Sequence, residues 1–244
     1  QWLFPLQSMW RSRSRSFLRN WPHFTKTLNS NAPNPKPNKK GPPLLTHDPL
    51  PFSLLEQCLT RVSTPLTFLD SQLGSELVMR LAAISKEVGT PFDQAQVQLR
   101  YGIILSFAGP RWQSLAIKKL RAGRRLARST GLTISRATAE LCMYIWLMQR
   151  GEHVRAEARA RSAIALYQKS QPVAQWEIQF LNFGILSCRW QQGRIRDLQT
   201  LTGEFRRSAE SRADAMSLFW MNVNAAILSD LSENKVEQAQ SALN

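Results

Sequence analysis

The chain has 244 residues, is 43% hydrophobic and carries 32 Lys/Arg against 17 Asp/Glu, a net charge of +15. That length and apolar content can bury a sizeable core in one or two domains, which excludes wholesale disorder, a disulfide-stapled miniprotein and a collagen-like repeat. The excess charge sits in two segments, with eight bases and no acid in 1–47 and nine bases and no acid in 94–139. Such a balance suits an acidic partner, whether nucleic acid, anionic lipid or an acidic protein, and composition does not choose among them.

In chain order, residues 1–28 interleave aromatics with arginines in WRSRSRSFLRNWPHF. This stretch suits an anionic membrane surface, stacking on single-stranded nucleic acid, or packing on a preceding domain, and the last is preferred. Residues 29–51 then run as NSNAPNPKPNKKGPP and LLTHDPLP. Recurrent prolines fix φ and bias the residues before them away from helix, so 1–51 reads as a flexible basic lead followed by an extended linker.

From residue 52 to the end the apolar period is helical. In 66–88, Leu66, Leu69, Leu73, Leu77, Leu81 and Ile84 recur at three and four, and Gly89-Thr90-Pro91 supplies a stop and a new start. Further helices are predicted near 92–108, 111–129, 132–149, 152–169, 173–191, 194–210, 213–230 and 234–243. Starts near 92, 132, 173 and 213 make a repeat of about 40 residues with two helices per unit, the pattern of tetratricopeptide-like or HEAT-like stacking. Polar breaks divide each pair at Gly109-Pro110, Gly151-Glu152, Gly193-Arg194 and Glu233-Asn234. A small residue five positions after the break, Ala156 after Gly151 and Ala239 after Asn234, favours the tetratricopeptide version; Leu198 after Gly193 departs from it. The fold class is therefore all-α, an α-solenoid of tetratricopeptide-like antiparallel pairs over 52–244.

Chemistry is sparse. No Gly is followed by Lys, so the Walker loop is missing, and the kinase signatures, G-x-S-x-G, H-E-x-x-H and C-x-x-C are missing too. No catalytic residue, cofactor or metal ligand is assigned: His23, His47 and His153 stand apart, and Cys58, Cys142 and Cys188 read as buried reduced thiols. Trp112, Trp146, Trp176, Trp190 and Trp220 are expected as core anchors. Leu141, Trp146, Ala156, Ala163, Phe180 and Phe183 are expected at the buried contacts between pairs. The apolar runs 101–108 and 141–148 fall far short of the roughly 20 residues a membrane span needs, and 1–10 lacks a signal-peptide pattern. With the start at Gln1, this reads as a cytoplasmic fragment of a longer protein.

The sharpest feature is the basic helix. At 100° per residue Lys118, Arg121, Arg124, Arg125 and Arg128 share one face, opposite Ala116, Leu120, Gly123, Leu126 and Ala127. The face is either a surface for an acidic partner or one that is solvated or answered by acids such as Glu76 or Glu87.

The order of RSRSRSFLR, a polar linker, Cys58, Asp70, Gly74, Arg80, Gly89-Thr90-Pro91, Ala95 and helix pairs with G-x-x-x-x-A-like turns resembles the C-terminal helical region of large bacterial serine/threonine protein kinases of the planctomycete kind. The resemblance implies a non-catalytic recruiting or regulatory arm that binds protein partners, with kinase and NTPase-like domains upstream in cis. No kinase residue has a counterpart here. The rival expectation is a nucleic-acid-binding helical protein that uses the basic helix.

Overall fold

The computed structural model of the chain describes residues 70–170, 173–221 and 227–241. The expected lead and linker, Cys58, His23 and His47 lie outside them. Every regular element among the described residues is helical. The chain divides into two compact units, the first ending at Thr130 and the second starting at Gly131.

In the first unit, α1 (Ser71–Val88) starts where Asp70 Oδ1 accepts the Leu73 amide at 3.0 Å. It stops at Gly89, and α2 (Pro91–Phe107) begins at once on a capping box. Thr90 Oγ1 accepts the Asp93 amide at 3.3 Å while the Asp93 carboxylate accepts the Thr90 amide at 2.8 Å, so each satisfies an orphan donor of the first turn. Pro91, with no amide to lose, sits at the first helical position. After Gly109, at φ 110°, a 3-10 turn (Pro110–Trp112) leads into α3 (Gln113–Ser129).

Helices α2 and α3 approach closely because each offers the other a glycine. A Cβ on Gly102 would lie 2.7 Å from Leu120 Cγ, and one on Gly123 would lie 2.8 Å from Leu99 Cγ, so Leu120 and Leu99 fill the two notches and are fully buried. Val78, Met79, Leu81 and Ala82 of α1 close this core over Val97, Tyr101, Ile104 and Leu105. The face expected for α1 holds at Leu81, but Leu77 is only half-buried and Leu73 is exposed, because the buried side of the helix runs through Gly74, Ser75, Val78, Met79 and Ala82.

The second unit runs α4 (Thr133–Gln149), α5 (His153–Tyr167), α6 (Gln175–Gln191), α7 (Ile195–Ser211), α8 (Ala215–Trp220), α9 (Ile227–Ser232) and α10 (Val236–Ser241). Through α8, each of these helices packs on the next in chain order. Helix α5 is the thin layer: Ala156, Ala160 and Ala163, all fully buried, let Tyr144, Leu147 and Met148 of α4 and Ile178, Leu181, Ile185 and Cys188 of α6 pack from its two sides. Gly184 plays the same part on α6, where a Cβ would stand 2.0 Å from the Tyr144 hydroxyl.

One turn recurs. The Gly151 amide donates to Met148 O and the Glu152 amide to Leu147 O, with Gly151 at φ 72°. The same pair of bonds surrounds Gly193 (φ 68°), Ala213 (φ 53°) and Asn234 (φ 60°). This is the Schellman cap, which satisfies the last carbonyls of a helix by turning one residue left-handed. Residues 151, 193 and 234 confirm the breaks expected there, and the cap at Ala213 divides α7 from α8 where the predicted helices 194–210 and 213–230 adjoin.

Ion pairs tie the helices laterally. Arg159 of α5 reaches Glu140 of α4 at 2.8 Å. Glu157, with 8% of its side chain exposed, accepts from Arg161 at 2.8 Å and from Arg189 of α6 at 2.5 Å; Arg189 also reaches Asp197 of α7 at 2.8 Å. Arg194 joins Asp197 from the turn.

Candidate functional site

The cationic face lies where the sequence put it, on α3, with one change. Lys118, Arg121, Arg125 and Arg128 are exposed and form a single row, and no described residue gives any of them a carboxylate partner. Arg124 is only half-exposed, its Nε is shielded from water, and it interacts within the protein, so it borders the row instead of belonging to it. The reason is angular: position 124 falls about 60° behind Arg121 toward the packed side of the helix. Of the acids that could have answered the row, Asp93 is spent in the α2 cap and Glu76 is half-buried on α1. The side chain of Glu87 lies outside the described residues. Like charges three and four apart cost roughly 0.2–0.5 kcal/mol per pair on a helix, and the row contains three such neighbours in succession.

Nearby cations behave differently. Lys119 Nζ stands 5.5 Å above the Tyr101 ring and Arg111 stands 5.3 Å from the Trp112 ring, so both are held by aromatic faces. The Tyr101 hydroxyl is buried without a partner, and burial pushes its pKa up to about 12.

A second site was not expected. In the second unit a groove of about 430 Å³ opens along α6 and is closed by Phe205 of α7, by Arg212 and Asp214 of the turn, and by Ser217 and Met221. That volume falls in the range of small-ligand and side-chain pockets. Two rows of α6 line it: the aromatics Trp176, Phe180 and Phe183, and one position ahead of each the carboxamides Gln175, Gln179 and Asn182. Both rows follow the spacing four then three, so both run along one side of the helix. The Trp176 and Phe180 rings stack at 5.7 Å, and Phe180 meets Tyr144 edge-on at 6.2 Å. No described residue takes or gives a hydrogen bond at the three carboxamides. Asp214 is occupied, because its carboxylate accepts the Ser217 amide at 3.0 Å and the Ser217 hydroxyl at 2.8 Å and so caps α8. Arg212 contacts Ser208 and lies 3.9 Å from Asp214, which leaves the rim close to neutral.

This groove corrects two expectations. Trp176 and Trp190 are 41% and 37% exposed and are not core anchors, whereas Trp112 and Trp146 are half-buried and pack against the cores of their units; the side chain of Trp220 lies outside the described residues. Ala156 and Ala163 are buried as expected, whereas Leu141, Trp146, Phe180 and Phe183 are half-buried. Tyr144 and Tyr167 take the ring positions inside the core between pairs, Phe180 packs on its edge, and Phe180 and Phe183 become groove wall.

Cys142 and Cys188 are free and buried, as read from the sequence. Burial pushes the Cys188 thiol up to about 12, and its Sγ lies 3.2 Å from Met148 Sδ. Burial also raises the Tyr144 hydroxyl far above its ordinary value. Among the described residues no group of His, Cys, Asp and Glu could hold a metal ion, and no helix is long and apolar enough to cross a membrane. No family model, curated protein or solved structure matches the chain.

Proposed function

We propose that the chain is a non-catalytic protein-binding region, an α-solenoid of tetratricopeptide-like pairs that holds an extended segment of a partner protein along α6. The observation that carries this reading is the double row on α6. Aromatic side chains supply large contact area at low entropic cost, and each carboxamide both donates and accepts, as a peptide group does. Gln179 and Asn182 can therefore grip a partner backbone whatever its side chains, while the cavity at Phe183, Leu186 and Phe205 takes an apolar anchor. Packing in chain order and the recurring Schellman caps support the stacked-pair architecture.

A random peptide library panned on the purified chain tests the reading. A short consensus with an apolar anchor should be enriched, and Phe183→Glu should abolish its binding; no consensus, or one bound equally by the variant, refutes the groove. The resemblance to planctomycete-type kinase tails supplies the cellular role, a cytoplasmic arm that recruits partners or substrates to a serine/threonine kinase in cis. Sequencing the genomic frame upstream of Gln1 tests that part, since H-R-D and D-F-G signatures must appear there.

The rival, nucleic-acid binding through α3, draws on the unanswered cations. It requires a steep salt dependence, with log affinity falling by about 0.9 per neutralised phosphate for each log unit of salt.

A further inference from the structure

We infer that the exposed row Lys118, Arg121, Arg125 and Arg128 is a docking face for an acidic amphipathic helix of a partner protein. The inference stands on the first unit alone and does not depend on the groove.

Charge complementarity gives the sign of the partner. The row is purely cationic, exposed and unanswered among the described residues, and no acid occurs anywhere in 94–139. A face that only had to be wet would be served as well by mixed charges, without repulsion along the helix.

Geometry gives its form. The steps three, four, three run straight along about 15 Å of helix, at the rise of 1.5 Å per residue. An amphipathic helix carrying Glu or Asp at the same steps lines up one carboxylate per cation over three turns, as charged rows do in paired helices. Three of the four cations are Arg, whose planar guanidinium takes a carboxylate bidentately. The shoulders are apolar: half-exposed Ile117 flanks the row on one side, Leu115 and Leu126 on the other. They offer a partner helix the contact that pure charge pairing lacks.

A nucleic acid fits less well. Binding to single strands leans on stacking with exposed aromatics, and the one large apolar side chain that counts as exposed among the described residues of this unit is Leu73, at 44%. No Asn or Gln stands in the row to read a base edge.

The test uses the full 244-residue chain and four probes: a helix-forming peptide of about 20 residues with Glu on one face at steps three and four, the same composition scrambled, a single-stranded oligonucleotide and a duplex. The patterned peptide should bind, with the scramble and the Arg121→Glu, Arg125→Glu variant each weaker by about tenfold or more. Equal binding of the scramble removes the helix, equal binding by the variant removes the row, and tighter binding of either nucleic acid replaces the partner; each overturns the inference. Should the reversal variant fail to fold by circular dichroism, Arg121→Gln with Arg125→Gln takes its place and must still lose affinity.

Discussion

The two units treat arginine in opposite ways. In the second, Arg159, Arg161, Arg189 and Arg194 each meet a carboxylate, and Glu157 and Asp197 chain three of them across α5, α6 and α7. In the first, Lys118, Arg121, Arg125 and Arg128 meet none among the described residues. The same residue type thus serves as mortar in one unit and as facing in the other. What separates the roles is the presence of acids on the neighbouring helices of the second unit, whereas 94–139 has none.

The largest expected effect tests the mortar. Glu157→Gln removes the charge that Arg189, with only 13% of its side chain exposed, faces from α5, leaving it Asp197 alone. Breaking a buried pair on one side costs about 3 kcal/mol, and urea unfolding should show it; an unchanged midpoint would mean that the network adds nothing to stability. Next comes Ala213→Gly. A left-handed alanine costs about 1–2 kcal/mol and glycine returns part of that, so the variant should gain about 1 kcal/mol, and a loss would mean the Schellman turn is misplaced. On the facing, the reversal Arg121→Glu with Arg125→Glu should change stability by only about 0.2–0.5 kcal/mol, in the stabilising direction. A fall in melting temperature comparable to that of Glu157→Gln would erase the contrast between the units.

The smallest effect concerns pH. Burial lowers the pKa of His153 from its ordinary 6.5. The unfolded chain then binds the proton more readily than the folded one, so this contribution to stability is complete above about pH 6.5 and is lost as pH falls below it. Wild type should therefore lose more melting temperature between about pH 8 and pH 5.5 than His153→Gln does. Parallel curves would show that the ring is fully solvated.

Much of this was legible locally. Thr90-Pro91 with Asp93 announces a helix start through atoms within four residues of one another, and Gly151 and Gly193 announce stops because only glycine turns left-handed without cost. The cationic row was legible too, being a property of one helix. Arg124 was misplaced because five cations were taken as one face, although position 124 lies about 60° behind Arg121 toward the packed side. The break between 210 and 213 was legible in the repeat, but the left-handed turn at Ala213 was not, since alanine does not advertise one. The groove was out of reach for a different reason: Phe183, Phe205 and Met221 meet only after three helices pack, and a helical aromatic row reads the same whether it faces core or cleft. The link from Glu157 to Arg189 spans 32 residues and is invisible for that reason.

Cys188 puts a clock inside the second unit. Alkylating reagents attack the thiolate, and this thiol has both its ionisation suppressed and its sulfur sealed against Met148. Reaction must wait until α6 lifts away from its neighbours. When reclosing outpaces labelling, the rate of modification, followed peptide by peptide to separate it from Cys58 and Cys142, is the chemical rate multiplied by the fraction of molecules open at that moment. Occupying the groove along α6 should slow that clock by whatever factor a ligand shifts the opening equilibrium, so one native cysteine can report binding without a label on either partner.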